Sequence, residues 1–348
     1  MGGGPLNERP PYFMTGYLIR RILLLGLTLL GLSVLVFIIS RVVPADPARL
    51  AAGPDATEEM VQKLRKEFRL DDPLPIQYFA YVRGIFQGDL GRSIRTRRPV
   101  IEDLARYYPA TLELVLFSLF LASIGGILIG TLSGVYHGRW IDQLSRLIAV
   151  AGVGMPDFWL ALMLQMWMAL KWKLLPSGGR LGFQTPQPIG ITHFFLLDSL
   201  LTGNWRTFVE ALRHILLPAI SLSFPAFASL ARLTRAEVLD VLSAEFVKTA
   251  RAKGLGEGVV IWRHMLRNAL IPTTTMIGLR FGWMLGGTVM VETVFNWPGL
   301  GLYAVQSATF ADFNAIMGTT LLVGLNFALA NLLVDLLYGV LDPRIRYD

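Results

Sequence analysis

The sequence predicts an all-α, polytopic membrane protein with six transmembrane helices. Three observations carry that prediction. Of 348 residues, 53% are hydrophobic and only 16% charged, whereas soluble domains carry about 25% charged residues. Six apolar stretches approach or exceed the roughly 20 residues that cross a bilayer core in a helix. Lys and Arg concentrate in alternate connections between these stretches, which suits cytoplasmic loops. The net charge of +7 therefore needs no nucleic-acid partner. Absence of cysteine excludes disulfides and thiolate metal sites, and the four scattered histidines give no metal-ligand spacing.

Residues 1–21 are expected to be cytoplasmic, followed by a first span at 22–41 built on "ILLLGLTLLGLSVLVFIIS". Its apolar run is too long for a signal-peptide core and no small-x-small cleavage site follows, so it is expected to be retained. The 42–110 region should form a small extracytoplasmic cap. Within it, "ATEEMVQKLRKEFRL" places Val61, Leu64 and Phe68 at helical spacing after Thr57. "DDPLPIQYFAYVRGIF" then gives Pro-marked turns and a second amphipathic helix through Tyr78, Val82 and Ile85.

The 111–340 core holds the other spans, at about 111–136, 147–170, 214–233, 273–294 and 315–340. Gly125-Gly126, Pro156, Pro218, Pro225 and Gly286-Gly287 inside them read as sites of close packing or kinking. The 171–213 connection is polar, with an amphipathic piece at its end. The charge pattern puts both termini, 341–348 included, in the cytoplasm. No internal repeat is evident.

The 234–272 loop is therefore cytoplasmic, and it contains "FVKTARAKGLGEG". As a helix this segment gathers Phe246, Val247, Ala250 and Gly254 on one face and Lys248, Arg251 and Lys253 on another. Gly254 is a natural helix stop. A helix this short is marginal alone, so something must hold it. An interfacial lipid helix would carry larger apolar anchors, whereas small residues permit close insertion into a protein groove.

"TARAKGL" (249–255), "RHMLRNALIP" (263–272), "ETVFNWPGLG" (292–301) and "LLVDLLYGVLDPRIRY" (332–347) together resemble the membrane subunits of ABC importers. The branch they resemble is that of dipeptide and oligopeptide permeases, and "DPLPIQY" (72–78), "GDLGRSI" (88–94) and "PATLEL" (109–114) fit the same branch. The loop departs from the general Glu-Ala-Ala pattern, with Lys248, Thr249 and Ala250 in those places, but Gly254 is where the pattern puts it. The resemblance implies a type I ABC importer permease fold in the bacterial inner membrane, working by ATP-driven alternating access. It implies a second homologous permease, two ATPase subunits that bind ATP and Mg, and a solute-binding protein. This chain would bind no cofactor, because no G-x-x-x-x-G-K-[ST] occurs in it. The resemblance assigns ATPase coupling to Glu245, Phe246, Lys248, Thr249, Ala250, Arg251, Ala252, Lys253, Gly254 and Leu255. Separately, "FNWPGLG" (295–301) follows the fifth span with no Lys or Arg nearby and combines two aromatics with a Pro-Gly turn. Glu292, Trp297, Pro298 and Gly299 are therefore expected either as gate or pathway residues in a compact re-entrant or rim structure beside the pore, or in a tight interhelical turn with its aromatics at the lipid interface.

Two ionisable residues stand inside predicted spans, Asp157 and Arg280. Because a lone charge there costs about 2.5–3.5 kcal/mol, two arrangements are open: both border the solute path, paired or close enough to bias it, or Arg280 reaches the cytoplasmic headgroups and Asp157 caps backbone freed near Pro156. An ion-coupled secondary carrier would also use such residues, but would leave the coupling loop without a purpose. A membrane enzyme would need a nucleophile and base, which the histidine positions do not supply.

Overall fold

The computed structural model describes residues 12–42, 47–53, 56–67 and 70–341. The predicted terminal segments 1–11 and 342–348, and Phe68 of the cap, lie outside the described residues. Helices account for most of the described chain, and the sole β-type pairing there is an isolated antiparallel bridge between Arg92 and Pro99. In order, the helices are α1 (Tyr12–Val42), α2 (Pro47–Ala52), α3 (Glu58–Glu67), α4 (Leu74–Gln87), α5 (Val100–Val135), α6 (Trp140–Gly154) and α7 (Asp157–Leu164). There follow α8 (Phe195–Leu201), α9 (Trp205–Leu242), α10 (Glu245–Ala252), α11 (Glu257–Val259), α12 (Leu266–Val294), α13 (Leu300–Thr309) and α14 (Phe313–Leu341). Gln165–Lys171 and Val260–Met265 are π-helical turns that extend α7 and α11.

Helices α5 and α9 form the spine. Gly126, Gly130 and Gly134 make a stripe at four-residue spacing on α5, and α9 lies directly on it. A Cβ at Gly130 would come within 2.6 Å of the Ala231 carbonyl oxygen and 2.7 Å of the Thr234 Cβ. Small residues allow backbones to approach in this way, which favours dispersion contacts where lipid supplies no hydrophobic drive. The main apolar core grows around this contact: Leu114, Val115 and Ala122 of α5 meet Ile215, Leu217, Leu222 and Leu230 of α9, with Met284, Leu285 and Val291 of α12. Pro218 and Pro225 sit inside the continuous helix α9, tolerated within this packing.

Four described helices are both long and apolar enough to cross a membrane, namely α1, α5, α9 and α14. The third predicted span is not one straight helix. α6 and α7 are bent by 107° where Met155 and Pro156 interrupt the helix, and the pair counts as at most one broken span. The proline has no N–H to continue the α6 ladder. The fifth predicted span is a single helix, α12 of 29 residues. Arg280 and its Gly and Thr residues make it less apolar, and it is packed among α5, α9 and α14. Six spans were expected; length and composition mark four, or five with the bent pair.

The bundle has two distinct ends. At one, the start of α1 meets the end of α14 through an Arg21–Asp335 ion pair of 2.7 Å. The same end carries the α5–α6 connection and α10. At the other lie α8, α13 and the first turns of α5. The predicted cap helices correspond to α3 and α4, and Ser33 of α1 shares a 2.9 Å hydrogen bond with Tyr78 of α4. Apolar packing predicts a specific outcome. Gly130→Val should destabilise the detergent-solubilised protein by about 1–3 kcal/mol, as overpacking does. Gly286→Ala, with open space around its Cβ position, should leave the thermal midpoint almost unchanged.

Candidate functional site

At the α10 end, the chain leaves α9 through Ser243 and Ala244 and starts an eight-residue helix. Val247 and Ala250 turn inward and pack against Val260 and Val241. Val247 and Ala250, grouped in the sequence with Phe246 on one face, here hold α10 to its own bundle. Phe246 instead is exposed, along with Glu245, Lys248, Thr249, Arg251, Ala252, Lys253, Gly254 and Leu255. Helical spacing of three and four residues explains the split, because residues 247 and 250 share one narrow stripe and 246, 249 and 253 lie on the face beside it. Lys248 pairs with Glu245 at 2.7 Å and Arg251 with Glu257 at 2.9 Å. Both pairs are exposed and so contribute little stability. Gly254 has φ +76 and nothing within 4 Å of where a Cβ would stand. The helix stops there for a conformational reason, and no neighbour within the chain restricts its size.

Above α10, the buried Asp142 of α6 gathers the ends of three helices, a cluster the sequence reading missed. Its carboxylate accepts from Ser133 at 2.7 Å, from the Gly138 N–H at 3.0 Å, and from Arg235 Nε at 2.6 Å. Only the two charges at loop edges, in "HGRWID" and "LTRAE", could have signalled it, and neither stands out from an ordinary cytoplasmic loop.

At the opposite end, "ETVFNWPGLG" forms a compact turn from α12 into α13. Glu292 is fully buried and accepts from Thr111 Oγ1 at 2.7 Å and from the Leu302 N–H at 3.0 Å. The Trp297 Nε1–H donates to the Ala110 carbonyl at 2.9 Å. A Cβ at Gly299 would stand 2.5 Å from both Glu292 Oε1 and Thr111 Oγ1, so the turn closes only around glycine. Glu292, Trp297 and Gly299 are therefore sealed inside the chain, where they latch α12 and α13 to α5. Pro298, between Trp297 and Gly299, is half-buried and borders a cavity.

The loop after α7 is sewn to this latch. The Gly179 N–H donates to the Phe295 carbonyl at 2.8 Å, and Gln165 Nε2 donates to the Ser177 and Val294 carbonyls. Arg180 then enters a buried pair with Glu113 of α5, and its guanidinium lies over the Phe195 ring at 3.5 Å. Burial pushes the Arg180 guanidinium below its ordinary value, while the Glu113 charge opposes that shift.

Asp157 and Arg280 form no ion pair. Asp157 opens α7 just beyond the bend, and its Oδ1 accepts from the Phe158 N–H at 2.7 Å. The depth expected for it assumed a straight span, which the 107° bend removes. Arg280 reaches across to α9, where its Nη2 donates to Ser229 Oγ at 2.7 Å, and its Nε has no partner among the described residues.

Comparison with known proteins places these features in context. Residues 126–347 match the family model described as binding-protein-dependent transport system inner membrane component. Residues 14–115 match the model for the N-terminal region of such membrane components. The chain is 45% identical over 321 residues to a probable D,D-dipeptide transport system permease protein of Escherichia coli, covering 92% of this chain and 94% of that one. It is 40% identical over 334 residues to a dipeptide transport system permease of Alkalihalophilus pseudofirmus, and equally so to a glutathione transport system permease of Escherichia coli. Both alignments cover 96% of this chain and 100% of the relative.

The buried pair at this end supplies a test. Glu113→Gln should destabilise the purified protein by about 3–5 kcal/mol, because it strands a buried guanidinium. Combining it with Arg180→Met should recover part of that loss in a double-mutant unfolding cycle.

Proposed function

This chain belongs to the family of inner membrane components of binding-protein-dependent transport systems, and from that premise we propose that it is the peptide-translocating permease of an ABC importer, driven through α10. The importer class follows from the family, and its similarity to dipeptide and glutathione permeases supports a short peptide as cargo. In this reading the chain pairs with a second homologous permease. Two ATPase subunits bind ATP and Mg, and a solute-binding protein delivers the peptide at the α13 end. That end faces outward and the α10 end faces the cytoplasm, with both termini inside.

One observation carries the mechanical part. α10 is fixed to its own bundle by Val247 and Ala250 and leaves Phe246, Thr249, Lys253 and Leu255 exposed. A helix anchored on one side and bare on the other transmits a push from an ATPase without bending away. α10 follows directly from α9 and packs on its Val241, and Ser133, Asp142 and Arg235 tie α5, α6 and α9 together at the same end, so displacement of α10 moves those helices as a body. Closure of the ATPase dimer then switches the pathway between inward- and outward-facing arrangements. Arg280 borders that pathway in this proposal: a half-buried guanidinium with a free N–H is poorly placed against lipid, and water in a solute path satisfies it.

Gly254 separates coupling from local folding. Asn adopts positive φ more readily than other non-glycine residues, so Gly254→Asn preserves the helix stop while adding bulk. In reconstituted complexes that variant should retain ATP hydrolysis but lose at least about ten-fold in peptide uptake, equivalent to roughly 1.4 kcal/mol of coupling. Full uptake by Gly254→Asn would show that no ATPase wall meets this position.

A further inference from the structure

At the α13 end a cavity of about 760 Å³ opens between the first turns of α5, the 180–195 loop and Pro298. That volume lies within the range of small-molecule sites. Arg106, Tyr107, Arg180 and His193 line it, and no Asp or Glu does. The acids behind its walls are engaged elsewhere. Glu113 accepts from Arg180 and the Leu196 N–H, Asp198 accepts from Thr192 and the His193 N–H, and Glu210 lies beside His214.

The two arginines are not fully used. Arg106 is exposed and makes no hydrogen bond or ion pair with any described residue. Arg180 is only 9% exposed and commits its Nη2 to Glu113 and the His193 carbonyl, and its buried Nε has no hydrogen-bond partner among the described residues. Its position is fixed by Glu113, by the His193 carbonyl at 3.0 Å and by the Phe195 ring. A concave wall of one charge sign concentrates oppositely charged groups, and guanidinium binds carboxylate by paired, charge-assisted hydrogen bonds. Phe195 and Pro298 add apolar surface beside these donors.

We propose that this cavity receives the C-terminal carboxylate of a peptide entering the permease, held by Arg106 and Arg180, with Phe195 and Pro298 against its last side chain. The proposal rests on the peptide-importer reading for the identity of the ligand, and it adds a recognition site on the permease itself. The cavity floor adjoins the latch: the Arg180 guanidinium lies 5.7 Å from the Trp297 ring. A peptide bound here would thus rest on the α12–α13 turn.

The test uses the complete importer in lipid nanodiscs, without binding protein, and a radiolabelled tripeptide with either a free or an amidated C-terminus. The free acid should bind the unaltered complex. Arg106→Gln should weaken that binding at least ten-fold, the amide should bind the unaltered complex equally poorly, and Arg83→Gln on α4 should change nothing. Equal binding of acid and amide, no binding of the acid, or no effect of Arg106→Gln would overturn the proposal. So would weaker docking of ligand-free binding protein to Arg106→Gln with peptide binding intact, since the cavity would then serve that partner. ATP-driven uptake of the same peptide with binding protein present is measured in parallel. Absence of uptake by the unaltered complex contradicts the peptide-importer reading itself, whereas uptake alongside equal acid and amide binding contradicts only the cavity site.

Discussion

The contact between α5 and α9 leaves no room for a side chain at three successive turns. A Cβ at Gly126, Gly130 or Gly134 would approach its nearest α9 atom to 2.7, 2.6 or 2.4 Å. In lipid, helices gain little from hiding apolar surface, so such backbone approach carries much of the association. It fixes α9 along most of its 38 residues, and α9 in turn supports α6 through Ala228 against Gly152, and α12 through the main core. The helices that flank this spine inherit their positions from it.

Polar bonds close the bundle at each end. Asp142 collects Ser133 and Arg235 at the α10 end, while Glu292 collects Thr111 and the start of α13 at the other. Each carboxylate is buried and well supplied with donors, which is what makes a buried polar group tolerable. Both sites join helices distant in sequence, so each locks a crossing that apolar packing alone would leave free to slide. The long connection after α7 is held to the second closure by backbone bonds and by the Glu113–Arg180 pair, and this is why the α13 end is a built surface.

Much of this was legible in the sequence. Apolar stretches announced α1, α5, α9 and α14, and alternation of small and charged residues announced α10 with its stop at Gly254. The cap helices were readable, α3 from Val61 and Leu64 after Thr57 and α4 from Tyr78, Val82 and Ile85. Three things were not. The bend at Pro156 could not be told from a tolerated kink, because whether a helix continues past proline depends on what packs around it. The inward turn of Val247 and Ala250 depends on Val260, which reaches them only through the π-helical turn after α11. The burial of Glu292 and Trp297 depends on Thr111 and Ala110, nearly two hundred residues away, and no local pattern encodes that meeting. The pairing expected for Asp157 and Arg280 failed for a related reason: depth along a helix was read as if the third span were straight.

The central claim is that α10 presents one face to its own bundle and the adjoining face to an ATPase. A chain without cysteine makes this directly measurable by site-specific cross-linking. Single cysteines at Thr249 and at Ala250, each combined with cysteines across the membrane-facing surface of the ATPase subunit, would be oxidised in the assembled complex. The account predicts efficient cross-linking to the ATPase from position 249, sensitive to ATP, and little from position 250. Equal cross-linking from both positions, or none from 249, would contradict it.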